Sequence, residues 1–297
     1  MDPVLVTGAD GFVGRHLRAE LGDVFVPFEG DVLDASALAN AVRQAQPGSL
    51  VHLAAESSVG SSWNEASRAW SVNVLGTVNV LEAVRGERPK ARVLFASTGE
   101  VYGDANRVPT PEDEPVKPLS PYAASKAAAE LACGQSARAH GLDVVVARAF
   151  PHEGPGRDER FAIGSWTRQI ARLEAEGGGT LLVGDLSVER DLTDVRDVCR
   201  AYRLLLEPSA PAGTYNVASG RAVPLHRVVE LLTELTEVPV RVEQDPGRLR
   251  KVDIQRLSGD PARLRAATGW KPEIPLEQTL ADALAFARQA APERVGR

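Results

Sequence analysis

Short apolar runs recur along the first half of the chain: Val4-Leu5-Val6, Val24-Phe25-Val26, Leu50-Val51-His52-Leu53, Val93-Leu94-Phe95 and Val144-Val145-Val146. Segments with helical spacing lie between them, at about 11–21, 35–45, 64–86 and 121–140. Apolar runs without polar alternation suit strands covered on both faces. Strand-helix units repeated in this way predict an α/β fold, a doubly wound parallel sheet of the Rossmann type. Asp34 before Ala35 and Asp194 before Val195 are placed to cap the helices that follow them.

The texture changes at about residue 151. Pro151, Gly154, Pro155 and Gly156 form a loop, and Gly177-Gly178-Gly179 separates a helix from a short strand at 180–183. Helices near 161–176, 194–206, 224–236 and 276–288 then alternate with brief strands near 214–217 and 240–243. This predicts a smaller C-terminal α/β lobe set against the carboxyl edge of the sheet, where ligands of such folds bind. The expected division is residues 1–150 for the main sheet and 151–297 mainly for the lobe.

Composition adds bounds. The 297 residues are 43% hydrophobic and 25% charged, ordinary for a soluble globular protein. No apolar run reaches the length of a membrane span, and no leader resembling a secretory signal precedes the first strand. The net charge of −6 speaks against a nucleic-acid-binding surface. Cys133 and Cys199, the only cysteines, read as free buried thiols in a reducing cytoplasm. His16, His52, His140, His152 and His226 show no ligand spacing, so no metal is expected.

Chemistry begins at Thr7-Gly8-Ala9-Asp10-Gly11-Phe12-Val13-Gly14, directly after the first strand. Its glycines give a tight turn, a close backbone approach to a pyrophosphate, and close contact of helix and strand. The helix N-terminus favours an anion there. Gly8, Gly11, Phe12 and Val13 are therefore candidate ligands of a dinucleotide, and residues 1–150 a dinucleotide-binding domain. Glu29, with Asp31 close behind, stands where an acidic residue would meet the adenosine ribose. No Arg or Lys lies between Val24 and Asn40, although Arg15 and Arg43 are within reach of a 2′-phosphate. This favours NAD over NADP and leaves both open.

Tyr122-Ala123-Ala124-Ser125-Lys126 puts a phenol and an ammonium on one helix face. A neighbouring cation is expected to pull the phenol's pKa down, suiting it to exchange a proton with a carbinol or carbonyl during hydride transfer. The fourth strand ends in Ser97-Thr98-Gly99-Glu100. Thr98, preferred to Ser97, is expected to hold the reacting oxygen beside Tyr122. Glu100 is placed to act as a base on a carbon-bound proton next to a keto group, if burial raises its pKa.

Together these motifs resemble the extended short-chain dehydrogenase/reductases, the superfamily of NAD-dependent epimerases and dehydratases. His52-Leu53-Ala54-Ala55, Asn73 with Gly76-Thr77, Val101-Tyr102-Gly103, Arg190-Asp191, Asp194-Val195 with Asp197, and Gly269-Trp270-Lys271-Pro272 complete the resemblance across nearly the whole chain. It implies that Val32, Leu53, Ala54, Ala55, Asn73, Tyr122 and Lys126 also hold the cofactor. Within the superfamily, the chain resembles GDP-4-keto-6-deoxymannose reductases and GDP-mannose 4,6-dehydratases. Ser57-Ser58-Val59 with Ser62-Trp63, His152 with Gly154-Pro155-Gly156, and Leu249-Arg250 with Asp253 and Gly259-Asp260 carry this likeness.

By that resemblance Thr98, Tyr122, Lys126 and Glu100 are catalytic. Arg190 and Arg250 clamp a nucleotide diphosphate, Asp253 binds its ribose, and Ser57, Ser58 and His152 belong to the substrate site. The chain departs from the pattern at Pro151, where Asn is usual, at Lys251, often Pro, and in a shortened region after strand 2. Gly99 replaces the acid that accompanies the Glu in thymidine-diphosphoglucose dehydratases. The expected activity is reduction at carbon 4 of a nucleotide-linked hexose, with GDP the favoured nucleotide. The alternatives are a GDP-mannose 4,6-dehydratase using Glu100, a 4-epimerase of nucleotide sugars, and a non-catalytic nucleotide-sensing regulator. A cytoplasmic homodimer, joined through helices around 70–86 and 121–138, is also implied.

Overall fold

The computed structural model describes residues 2–250 and 252–290. Five parallel strands, β1 (Val4–Thr7), β2 (Phe25–Pro27), β3 (Ser49–His52), β4 (Arg92–Thr98) and β5 (Val144–Ala149), form most of the central sheet. Their spatial order is β5-β4-β3-β1-β2, and the strand Gly213–Val217 adds a sixth member beside β5, again parallel. Each strand side chain alternates between the two faces. Thus Val4 and Val6 enter the apolar layer that also holds Leu17, Leu21, Val198 and Leu205, while Leu5 enters the opposite layer with Leu38, Val42, Val80, Val84 and Cys133.

Helices supply those layers. On one face lie α2 (Ala35–Ala45), the tract from α3 (Val59–Ser62) and α4 (Ala66–Trp70) into α5 (Gly76–Glu87), and α6 (Pro121–His140). On the other lie α1 (Phe12–Leu21) and the helix Val195–Leu206. Burying each Leu or Val of these layers is worth roughly 1.5–3 kcal/mol. The expected caps form: Asp34 Oδ1 accepts from Ala37 N at 2.9 Å, and Asp194 Oδ1 accepts from Arg196 N at 2.8 Å. Both cysteines are free and buried.

The structure differs from the sequence reading in two respects. The continuous helix expected over 64–86 is broken, because Ser71–Leu75 widens into a π-helical turn. Asn73 explains the break. Its Oδ1 accepts from Glu56 N at 2.9 Å, and its Nδ2 donates to Glu56 O at 3.1 Å and to Ser125 Oγ at 2.8 Å. A buried amide must be satisfied in this way, and an inserted residue lets it turn toward both partners. Second, the strand near 214–217 and the helix near 194–206 belong to the central sheet and the apolar layer on it rather than to the lobe. Tyr215 and Val217 carry apolar side chains into the same layer as Leu205 and Trp270, so the chain returns to the sheet after leaving it.

The remaining C-terminal elements form the lobe. The strands Gly179–Val183 and Val240–Gln244 pair in parallel, and the helices Ala162–Glu176, Leu225–Glu234 and Leu276–Ala290 close over Leu181 and Val183. This lobe faces the carboxyl ends of β1, β3, β4 and β5. The registers Thr7 beside His52 and Thr98 beside Ala149 bring those ends level, leaving a cleft between sheet and lobe.

Candidate active site

The cleft has a volume of about 930 Å³, the size of a pocket for a substantial organic ligand. At its floor is the glycine turn. Gly8 has a φ of +69°, and a Cβ there would lie 2.7 Å from Ala54 N. A Cβ on Gly14 would lie 2.4 Å from Ala9 O. Gly11 caps α1 without a side chain of its own, leaving the first amides of the helix open toward the cleft. Phe12, Val13, Leu53, Ala54 and Ala55 line the cleft around this cradle. Close backbone, absent side chains and a positive helix end fit the diphosphate of a dinucleotide.

Other predicted cofactor residues stand apart. Glu29 and Asp31 are exposed beyond the tip of β2, with Asp31 Oδ1 accepting from Leu33 N at 2.9 Å. Val32 is buried, so close to the backbone of Gly76 that a Cβ there would meet Val32 Cγ2 at 2.7 Å. Asn73 lies beneath the cleft wall, holding Glu56 and Ser125. The cations offered for a 2′-phosphate are occupied: Arg15 donates to Asp10 O and Gly156 O at 2.7 and 3.4 Å, and Arg43 pairs with Glu87 at 2.6 Å.

Thr98, Tyr122 and Lys126 meet in the cleft wall. Thr98 ends β4 with its Oγ1 accepting from Glu100 N at 3.2 Å, and its side chain acts on the Tyr122 phenol, opposing the upward push of burial. Neighbouring Ser97 points elsewhere, donating to Glu130 Oε1 at 2.5 Å, which separates the roles of the two hydroxyls. Ser120 caps α6 by accepting from Ala123 N at 3.1 Å, and Pro121 follows at the first turn. Tyr122 is fixed there, its N–H donating to Ser62 Oγ at 3.2 Å.

The electrostatics correct one expectation. The Tyr122 phenol is pushed up to about 12 rather than down, because burial outweighs its hydrogen bond with Thr98 and the field of Arg157. Lys126 does not counter this. Its Nζ lies 4.3 Å from the Phe95 ring centroid, and burial brings its own pKa down to about 8. With the ammonium lying over that ring, burial decides the phenol, which stays above its usual range.

At the far end of the cleft, Arg190 Nη2 donates to Asp253 Oδ1 at 2.5 Å, and Arg250 Nη1 donates to the same oxygen at 3.3 Å. Arg250 Nη1 also lies 3.8 Å from Glu100 Oε1. Burial raises the pKa of Glu100, opposed by Arg250 and Arg190. Two guanidiniums converging beside one shared carboxylate can accept a diphosphate bidentately. Ser57 and Ser58 line the opposite wall, although the Ser58 hydroxyl is engaged as the cap of α3, accepting from Ser61 N at 3.2 Å. His152 lies near the glycine turn, stacked on Phe12 at 6.1 Å. Its ring is tied to Phe150 O at 3.0 Å, and burial holds its pKa near 4. Sequence reasoning missed Glu153, Arg157 and Phe161, which also line the cleft. The signal was available in the arginine that directly follows the Gly154-Pro155-Gly156 loop.

Residues 19–283 match the family model of GDP-mannose 4,6 dehydratase. GDP-6-deoxy-D-mannose reductase of Pseudomonas aeruginosa is 38% identical over 93% of this chain and 94% of that protein. The chain belongs to the GDP-mannose 4,6-dehydratase family. GDP-mannose 4,6-dehydratase of Yersinia enterocolitica is 27% identical over 90% of this chain and 80% of that protein. The solved structure of RMD from Pseudomonas aeruginosa complexed with NADPH superposes with a TM-score of 0.91 at 36% identity, over 98% of this chain and all of that one. The family places the protein among extended short-chain dehydrogenase/reductase enzymes that use NAD or NADP to modify nucleotide sugars.

Proposed function

We propose that the protein is a reductase of a GDP-linked 4-keto-6-deoxyhexose, with Tyr122 as the acid that protonates carbon 4 oxygen. The observation that carries this reading is the meeting of Thr98, Tyr122 and Lys126 in the wall of one cleft that joins a dinucleotide cradle to a pair of arginines. A bound nicotinamide supplies the hydride. Thr98 orients the ketone oxygen, and Tyr122 delivers its proton as negative charge develops there. Lys126, four residues on, supports the phenol and the cofactor from beneath. Arg190 and Arg250 hold the substrate's diphosphate, Asp253 turns from them toward the ribose, and Ser57, Ser58 and His152 shape the sugar site. Residues up to about 150 hold most of the cofactor and those beyond supply most of the substrate lobe.

NAD is the cofactor favoured by the exposed carboxylates of Glu29 and Asp31, since both nearby cations are committed to other partners. RMD from Pseudomonas aeruginosa is complexed with NADPH, and parallel titration of this protein with NADH and NADPH decides its own preference. The assembly we propose is a cytoplasmic homodimer through α5 and α6, supported by Leu75 and Leu131, which are 56% and 73% exposed. No described helix is long and apolar enough to cross a membrane.

Dehydration of GDP-mannose is a second reading, favoured by Glu100, whose burial raises its pKa as a base beside a carbonyl requires. One experiment separates the two. The protein is incubated with the 4-keto-6-deoxy sugar nucleotide plus NADH or NADPH, and in parallel with GDP-mannose and no reductant. Oxidation of the reduced cofactor by the keto sugar supports the reductase. A keto product from GDP-mannose alone replaces it with the dehydratase.

A further inference from the structure

The mechanism leaves one buried charged pair unused. Glu153, on the two-residue strand His152–Glu153, is 6% exposed, and its Oε2 is buried with no hydrogen-bond partner. The nearest cation is Arg157, whose Nε lies 3.5 Å away and is itself buried without a partner. Arg157 is nevertheless held firmly. Its guanidinium carbon lies 3.6 Å from the ring centroid of Phe161 and 4.8 Å from that of Phe12. Phe12 opens α1, so this sandwich places the cation above the open amides of the glycine cradle. The loop is pinned there: Pro155 O lies 2.9 Å from His16 Nε2, and Gly156 O accepts from Arg15 at 3.4 Å.

A guanidinium with two aromatic faces covered keeps its edge for ligands. Arg190 and Arg250 share a carboxylate at hydrogen-bond distance, whereas the Arg157 guanidinium has Glu153 only at 3.5 Å and its buried Nε has no hydrogen-bond partner. We propose that Arg157 is a ligand for the diphosphate of the bound dinucleotide, exchanging Glu153, its counter-ion in the free protein, for the phosphate oxygens. This rests on the dinucleotide-binding reading of the cradle and extends it to the roof of the site.

The exchange leaves Glu153 beside an added anion. Burial already pushes Glu153 up to about 7, so dinucleotide binding takes up a proton near neutral pH. Other ionisable groups on the neighbouring elements are committed. His152 is held neutral near 4, His16 meets Pro155 O, and Asp194 accepts from Arg196 and Thr279. Asp282 accepts from the same Arg196, and Cys199 and Tyr202 are pushed up by burial.

The test is fluorescence titration of the full-length protein with NADH and NADPH at pH 6 and pH 8, with GDP as the control ligand. Arg157→Gln is expected to weaken dinucleotide binding about tenfold to a hundredfold, as loss of a charge-assisted bond does, while GDP affinity stays within about twofold. Wild-type affinity is expected to fall from pH 6 to pH 8, and Glu153→Gln to remove that dependence. Should Arg157→Gln fail to fold, Arg157→Lys and Glu153→Gln decide: unchanged dinucleotide affinity in both overturns the inference. Weakened GDP binding with unchanged dinucleotide binding overturns it too, by assigning the cation to the substrate. If the wild type binds neither dinucleotide, the cradle reading falls and this inference with it; if binding is intact but no keto sugar is reduced, only the proposed reaction falls.

Discussion

At the scale of single residues, the chemistry of this site is a balance between burial and hydrogen bonding. Tyr122 was legible in the sequence because Lys126 follows at helical spacing, but its protonation was not. Spacing gives the direction of two side chains and says nothing of the dielectric around them. In the folded protein the phenol is raised to about 12 and the ammonium lowered to about 8, both chiefly by burial. An acid that keeps its proton suits reduction, in which it must be given away. Tyr122→Phe is therefore expected to lower kcat by a hundredfold to ten-thousandfold, the ordinary range for loss of a general acid. Cofactor affinity measured by fluorescence should stay within about twofold, because no phosphate contact is lost. Glu100→Gln belongs to the same scale: turnover of the keto sugar persists under the reductase reading, whereas any dehydration of GDP-mannose disappears.

At the scale of elements, the strands and most helices follow from period and punctuation. The run Val144–Val146 and the capping Asp34 each name their element because local chemistry decides them. What the sequence concealed was decided by tertiary contact. Nothing near Asn73 breaks a helix by itself; the π-helical turn exists because Glu56 and Ser125, distant in sequence, offer its amide a full set of partners. Asn73→Ala is expected to cost about 1–3 kcal/mol, the penalty for leaving buried partners unsatisfied, read as a fall in the urea midpoint. Asn73→Ser should recover part of it. Similarly, a two-residue strand such as His152–Glu153 has too little sequence to show a period, which is why Glu153 and Arg157 escaped notice while the glycines between them did not.

For the whole molecule, the sheet's two apolar layers and the return of Gly213–Val217 lock lobe and sheet together, with the cleft where they meet. Long-range order of this kind was only half legible, because a strand's partner cannot be read from its own residues. Acid stability follows from the buried histidines. His52 receives a hydrogen bond from Thr7 at 2.7 Å and reaches Thr77 at 3.1 Å, and burial lowers its pKa from 6.5 to about 3. Its folded-state pKa is depressed, so its contribution is fully present above pH 6.5 and is lost as pH falls toward about 3. That amounts to about 1.4 kcal/mol per pH unit in this window. In urea unfolding between pH 6.5 and pH 5, the wild type should lose stability more steeply than His52→Gln by about this slope. Light scattering checks the assembly: the wild type should run as a dimer and Leu131→Glu, which charges an exposed apolar position, as a monomer.

The central claim is that hydride passes to carbon 4 of a GDP-linked keto sugar while Tyr122 supplies the proton. Its most direct test uses NADH or NADPH deuterated at the transferable position of the nicotinamide, with the sugar product read by NMR. The account predicts deuterium at carbon 4 of a GDP-6-deoxyhexose, and loss of that labelled product in Tyr122→Phe. A product unlabelled at carbon 4, or labelled equally well without the phenol, would contradict it.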